Sequence, residues 1–344
     1  MADRQVIDAD GHVMELDEQL WQYMGAPYKT GQWHRSYSFF PSLDGFTRAI
    51  QNGGGTEGPD AAEWLAFLDE CGIEQTVLYP TLGLAHGFIQ DVDWAIALAR
   101  AYNDWLCAAF LQQSPRLKAV ALLPVQDVDA AVRELNRAVD ELGMVGAVLP
   151  ALTTDGRPYG NDIFHPLWEE AQRLDVPVAI HGGTTAQLGL DRMTSFISAH
   201  AVEHLFAQAR QLSSMVLDGV FELYPRLRVA FLESGVGWVP FMMDRLDEEY
   251  ERKGRWAPRL RKRPSEYVAN GNLYFSIEVE ERALPLAIEC LGPDVLLWAS
   301  DFPHERVREG FAGDLPTLAQ RADIDETVKR RILWDNPRRF YRLA

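Results

Sequence analysis

Cysteine is scarce in this 344-residue chain: Cys71, Cys107 and Cys290 are all it has. They lie far apart and form no CxxC pair, so neither a disulfide framework nor a cysteine zinc site is indicated. They read as small core residues. Long apolar runs are missing too. No stretch reaches the ~18 residues that a membrane helix needs. Met1-Ala2-Asp3-Arg4-Gln5 runs straight into a β-branched segment with no signal-like stretch, so a cytoplasmic location is expected. Positive charge is short: 33 Lys and Arg stand against 50 Asp and Glu, a formal net charge of −17. That disfavours nucleic acid and anionic membrane as partners. A small anionic substrate stays open, because a bound cation can invert the sign inside a pocket. There is no GxSxG elbow, no Walker A loop and no HExxH, and no GxGxxG directly follows the first strand. Internal repeats and low-complexity segments are likewise missing.

What is present is an apolar chain, 47% hydrophobic, with regular alternation. That is enough for a large core. Strands are expected at 6–13, 75–80, 118–122, 146–149, 177–181, 228–233, 272–276 and 295–300. Helices are expected at 60–71, 91–113, 128–142, 164–174, 195–224, 238–251 and 281–291. Continuous Val, Leu and Ile runs between helices imply parallel strands buried on both faces. Eight strand–helix units predict an α/β fold, a (β/α)8 TIM barrel, with an open doubly wound sheet as runner-up. One domain is expected over 1–344. It carries an aromatic-rich insertion after strand one, Leu16 to Pro59, with Trp21, Tyr23, Tyr28, Trp33, Tyr37, Phe39, Phe40 and Phe46. This insertion is expected to fold over the barrel mouth, with Asn52-Gly53-Gly54-Gly55 as its joint. The basic stretch Arg252–Arg263 is either a contact for an anionic substrate or partner subunit or, the favoured reading, a solvated loop after a helix.

Chemistry in a barrel collects at the C-terminal strand ends. Strand one ends in Asp8-Ala9-Asp10-Gly11-His12, and strict alternation puts Asp8, Asp10 and His12 on one face. Strand five ends in His181, strand six in Glu233 and strand eight in Ser300-Asp301. Singly, each has an ordinary explanation as a turn, a helix cap or a core histidine. Together they would bury three carboxylates and two imidazoles at one rim, and buried charges need partners or a metal. His200 and His204 lie four apart on a helix, with Glu203 between them. They are either an exposed polar face or additional ligands. His304 is a candidate for proton transfer or substrate contact, and His86 is a weaker candidate to face the mouth. His34 and His165 receive no role.

Several stretches carry a resemblance: Val6 to His12, Val178 to Gly183, Leu227 to Asp247, Leu297 to His304 and Asn336 to Tyr341. In order, they resemble the amidohydrolase superfamily, in the branch that includes aminocarboxymuconate-semialdehyde and γ-resorcylate decarboxylases. The resemblance implies a divalent metal held by Asp10, His12, His181 and Asp301. It also admits a homodimer. Two departures stand out. The first strand-one ligand is usually His or Glu, and here it is Asp10. At strand six a histidine is often found, and here it is Glu233. The expected activity is that of a metal-dependent hydrolase or non-oxidative decarboxylase acting on a small organic acid. Asp301, His304 and Glu233 are the candidate catalytic groups, Glu233 serving as an acid if burial raises its pKa. The metal set is Asp10, His12, His181, Asp301 and Glu233, with His200 and His204 added if two ions bind. Zinc is the first expectation, with manganese or iron as alternatives. A dinuclear non-haem oxygenase is the competing enzyme class, and a non-catalytic barrel subunit is the non-enzymatic reading.

Overall fold

The computed structural model describes residues 5–29, 38–42, 57–183, 187–304 and 314–343. Eight parallel strands run in sequence order around one sheet: β1 (Ile7–Val13), β2 (Gln75–Pro80), β3 (Leu117–Leu122), β4 (Gly146–Pro150), β5 (Val178–His181), β6 (Val229–Leu232), β7 (Leu273–Ser276) and β8 (Leu296–Leu297). Helices cover them. A short α1 (Asp17–Trp21) and then α2 (Ala61–Cys71) follow β1, and α3 (Val92–Leu106), α4 (Val128–Asp140) and α5 (His165–Leu174) follow β2, β3 and β4. After β5 come α6 (Phe196–Leu217) and α7 (Val220–Leu223), and after β6 come α8 (Val239–Lys253) and α9 (Pro264–Val268). Beyond β7 lie α10 (Leu284–Leu291), α11 (Asp314–Gln320), α12 (Glu326–Arg330) and α13 (Asn336–Tyr341). This is the (β/α)8 barrel that the alternation of apolar runs and helices predicts.

The helix starts follow from side-chain chemistry. Asp60, Asp91 and Asp127 each accept a backbone N–H in the first turn of the helix they cap. At Asp60 the Glu63 carboxylate reaches back to complete a capping box. The strands are buried along nearly their whole length, as two-sided burial requires. Among the described residues, no helix is long and apolar enough to cross a membrane.

The seam between β1 and β8 differs from the other seven. It is closed by individual backbone bonds: Ala9 N–H to Trp298 O (3.2 Å), His12 N–H to Phe302 O (2.7 Å) and Asp301 N–H to Asp10 O (3.1 Å). The buried Asp8 carboxylate strengthens it. It accepts from Thr76 Oγ1 of β2 (2.7 Å) and from the N–H and Oγ of Ser300 (both 2.8 Å), tying three segments together. Gly11 permits this close packing, since a Cβ there would fall 2.4 Å from the Trp64 ring of α2.

Several expectations are corrected. Asp8 does not share a face with Asp10 and His12. The pairing with β2 shifts register between Asp8 and Gly11, and this irregularity turns Asp8 toward Thr76 and Ser300. Strand eight is only two residues long, because from Trp298 onward the chain bonds singly to β1. The helix expected at 195–224 breaks into α6 and α7 at Asp218-Gly219. In the insertion, Trp33, His34, Tyr37, Phe46 and Asn52 to Gly55 lie outside the described residues. The described aromatics pack beside α3: Phe39 meets Trp94 edge-on at 5.2 Å, Tyr28 meets Trp94 at 5.1 Å, and Trp21 lies 6.1 Å from Phe39.

Asp8 makes the seam testable. Asp8→Ala leaves Thr76 and Ser300 without their buried acceptor and should lower unfolding free energy by about 3 kcal/mol, read as a lower urea midpoint. A loss under about 0.5 kcal/mol, as at an ordinary surface position, would show that Asp8 is not the clamp.

Candidate metal centre

The strand ends deliver their side chains to one place. His12 Nε2 lies 3.4 Å from Asp10 Oδ1, 3.4 Å from Glu233 Oε1 and 3.6 Å from Asp301 Oδ1. His181 Nε2 lies 3.1 Å from Asp10 Oδ2 and 3.6 Å from Glu233 Oε1. One ligand atom each from Asp10, His12, His181 and Glu233 fall within 4.8 Å of one another, and so do those of His12, Glu233, Asp301 and His304. Asp10, His12 and His181 are essentially fully buried.

The backbone aims these groups. His12 Nδ1–H donates to the Pro80 carbonyl (2.9 Å) and His181 Nδ1–H to the Gly182 carbonyl (2.8 Å). Each bond fixes the ring and turns Nε2 into the cluster, the usual support for a metal-binding imidazole. Glu233 and Asp301 both take left-handed backbone, φ 58° and 52°. For non-glycine residues this costs on the order of 1–3 kcal/mol each and is typical of functional sites. Glu233 N–H is held by Ser276 Oγ of β7 (2.9 Å). His304 lies with Nδ1 2.8 Å from Asp301 Oδ1 and Nε2 2.8 Å from Thr81 Oγ1.

Burial and close neighbours shift the titration of these groups. Burial raises Asp10, and burial with the Glu233 charge pushes Asp301 up to about 6. Burial disfavours a charged His181, yet the Glu233 and Asp10 carboxylates raise it to about 10. His12 is lowered by burial and by the nearby His304. The expectation that burial would make Glu233 an acid is corrected. Burial does raise it, but His181, His12 and His204 outweigh that and hold it well below the usual range.

The residues fit a divalent cation. Among the described residues, Asp10 Oδ1 and His12 Nε2 are buried with no hydrogen-bond partner. Such orphans are costly, and both point into a set of imidazole and carboxylate donors suited to zinc, manganese or iron.

Other candidates are placed elsewhere. His200, Glu203 and His204 form a separate cluster on α6. His204 still touches the rim, as Nδ1–H donates to the Glu233 carbonyl oxygen (2.8 Å). His86 is buried under the loop after β2, with Nε2 2.9 Å from the Ala95 carbonyl, outside the rim cluster. His165 lies against Asp162 and the Tyr224 ring. Sequence reasoning overlooked Thr81 and Glu15. The buried Glu15 carboxylate accepts the N–H groups of Thr81, Leu82 and Gly83 and so sets the loop that carries Thr81 to His304. It also overlooked Glu278 beyond β7, which desolvation and the Glu281, Glu233 and Asp301 carboxylates push up to about 7. A Thr or Glu after a strand carries no signal by itself, so these needed the fold.

Known proteins share this frame. The amidohydrolase family model matches residues 7–343. A γ-resorcylate decarboxylase of Polaromonas sp. strain JS666 is 29% identical over 80% of this chain and 86% of its own. A 2-amino-3-carboxymuconate-6-semialdehyde decarboxylase of Dictyostelium discoideum is 24% identical over 97% of this chain and 90% of its own. A crystal structure of a dihydroxybenzoic acid decarboxylase from Polaromonas sp. JS666, with bound manganese and 2-nitroresorcinol, superposes with TM-score 0.72 at 22% identity, covering 99% of this chain and 98% of that one.

The approach of α6 to the rim depends on Gly182, where a Cβ would lie 2.8 Å from the His204 ring. Gly182→Ala should push His204 off the Glu233 carbonyl and cost about 1–3 kcal/mol, measured by urea unfolding. An unchanged midpoint would contradict this packing.

Proposed function

Since the chain belongs to the amidohydrolase family, we propose that it is a metal-dependent, non-oxidative decarboxylase of a small aromatic carboxylic acid. The observation that carries this reading is the rim cluster with its orphaned buried atoms on Asp10 and His12. The decarboxylase relatives favour carbon dioxide loss over hydrolysis. The oxygenase alternative draws no support from them. The manganese in the Polaromonas structure moves the favoured ion from zinc to manganese.

Asp10, His12, His181 and Asp301 would hold the cation, with Glu233 closing the cluster. When bound, the ion supplies Lewis acidity toward the substrate's carboxylate and an adjacent oxygen. His304 is the proton carrier in this reading. Its two ring nitrogens lie beside Asp301 and Thr81, which fix its plane. As the bond to the carboxylate carbon breaks, its electron pair stays on the ring carbon. The proton forming the new C–H bond comes from His304, and carbon dioxide leaves. Glu233, placed beside the His12 and His181 ligands and so close to the cation, would stay ionised and be a poor donor, which leaves this step to His304.

Metal analysis tests the site. Wild-type protein should retain a divalent ion, while His12→Ala and His181→Ala should lose it. Unchanged metal content in both variants would refute the ligand assignment.

Turnover tests the reaction. Wild-type enzyme should convert a hydroxybenzoate such as 2,6-dihydroxybenzoate to the phenol and carbon dioxide without oxygen. His304→Ala should keep its metal and lose about 10²–10⁴-fold in rate. Turnover only with oxygen, or full activity in His304→Ala, would overturn the reading.

A further inference from the structure

We propose that α6 carries a second cation position, formed by His200, Glu203 and His204 and suited to a zinc-class divalent ion. It shares no residue with the rim clusters but borders them, since His204 Nδ1 lies 3.4 Å from Glu233 Oε2. Positions three and four apart on a helix face the same way. Here that spacing brings one ligand atom from each residue within 4.8 Å of the others. Two imidazoles and a carboxylate are a recurrent zinc set that leaves a fourth position open. His200 and His204 have the i, i+4 spacing of the histidine pair in the helical zinc motif HExxH, whereas Glu203 would serve here as the third ligand rather than as that motif's general base.

The site is built rather than incidental. His204 Nδ1–H is spent on the Glu233 carbonyl (2.8 Å), which leaves Nε2 to face Glu203 Oε1 at 3.4 Å. That is the orienting bond expected of a ligating histidine. Glu203 is only 6% exposed, and a buried carboxylate calls for a positive neighbour. The His200 ring stacks on His204 at 5.3 Å, backed by Phe196 at 4.9 Å. One turn further on, Gln208 donates to the carbonyls of Ile180 and Leu232, and Gln211 donates to that of Ala151. These bonds anchor the helix to the ends of β4, β5 and β6. The ligand-bearing turn is therefore fixed beside the rim, with His200 at the solvent end.

Zinc counting tests the proposal. Chelator-stripped, full-length protein would be dialysed against Zn²⁺ alone and the metal counted per chain. Two ions are expected for wild type. His200→Ala, an exposed position, should bind one, with affinity at the second position falling more than about tenfold. Glu203→Gln should act in the same direction. His12→Ala should lose the rim ion and keep this one, which separates failure of the rim assignment from failure of this site. One zinc per wild-type chain, or two in His200→Ala with unchanged affinity, would overturn the proposal. Binding only at millimolar zinc would mark an adventitious surface site and overturn it as well.

Discussion

Buried like charge is the constraint around which this molecule is arranged. Asp10, Glu233 and Asp301 converge within a few ångströms at the end of a closed sheet, interleaved with His12, His181 and His304. A low-dielectric interior penalises carboxylates brought together in this way unless something positive joins them. The neighbouring Glu233 and Asp10 carboxylates raise His181, which favours a proton there. Rim atoms that make no hydrogen bond, Asp10 Oδ1 and His12 Nε2 among them, ask for a cation.

The same residues close the barrel. Asp10 contributes a side chain to the cluster and its carbonyl to the Asp301 N–H, so the site and the β1–β8 seam are one object. Behind them, Asp8 clamps Thr76 and Ser300, and the left-handed turns at Glu233 and Asp301 swing two carboxylates off the strand ends. Stability and chemistry are therefore coupled at this seam. Strain held at Glu233 and Asp301 is offset by the packing of the barrel around them. The folded frame keeps the donors in place before any ligand arrives, which is the preorganisation that electrostatic catalysis requires.

Much of this was legible in the sequence. Parallel buried strands write themselves as continuous apolar runs, and eight of them between helices leave few architectures. Polar residues at the ends of such runs stand out against their surroundings, which is why Asp10, His12, His181, Glu233 and Asp301 could be picked out. What escaped depends on long-range geometry. The register shift that turns Asp8 away from Asp10 arises from pairing with β2. The truncation of β8 reflects single bonds to β1 across nearly 300 residues. Glu15 and Thr81 act through a loop whose course no local pattern encodes. The charge state of Glu233 likewise depends on which imidazoles surround it, so burial alone pointed the wrong way.

The central claim is that the strand ends of β1, β5 and β8 build one cation site. Anomalous diffraction from crystals grown with manganese tests it most directly. The account predicts a peak at the rim, about 2.0–2.4 Å from side-chain donors of Asp10, His12, His181 and Asp301. A well-occupied manganese elsewhere, with the rim cluster empty, would contradict it.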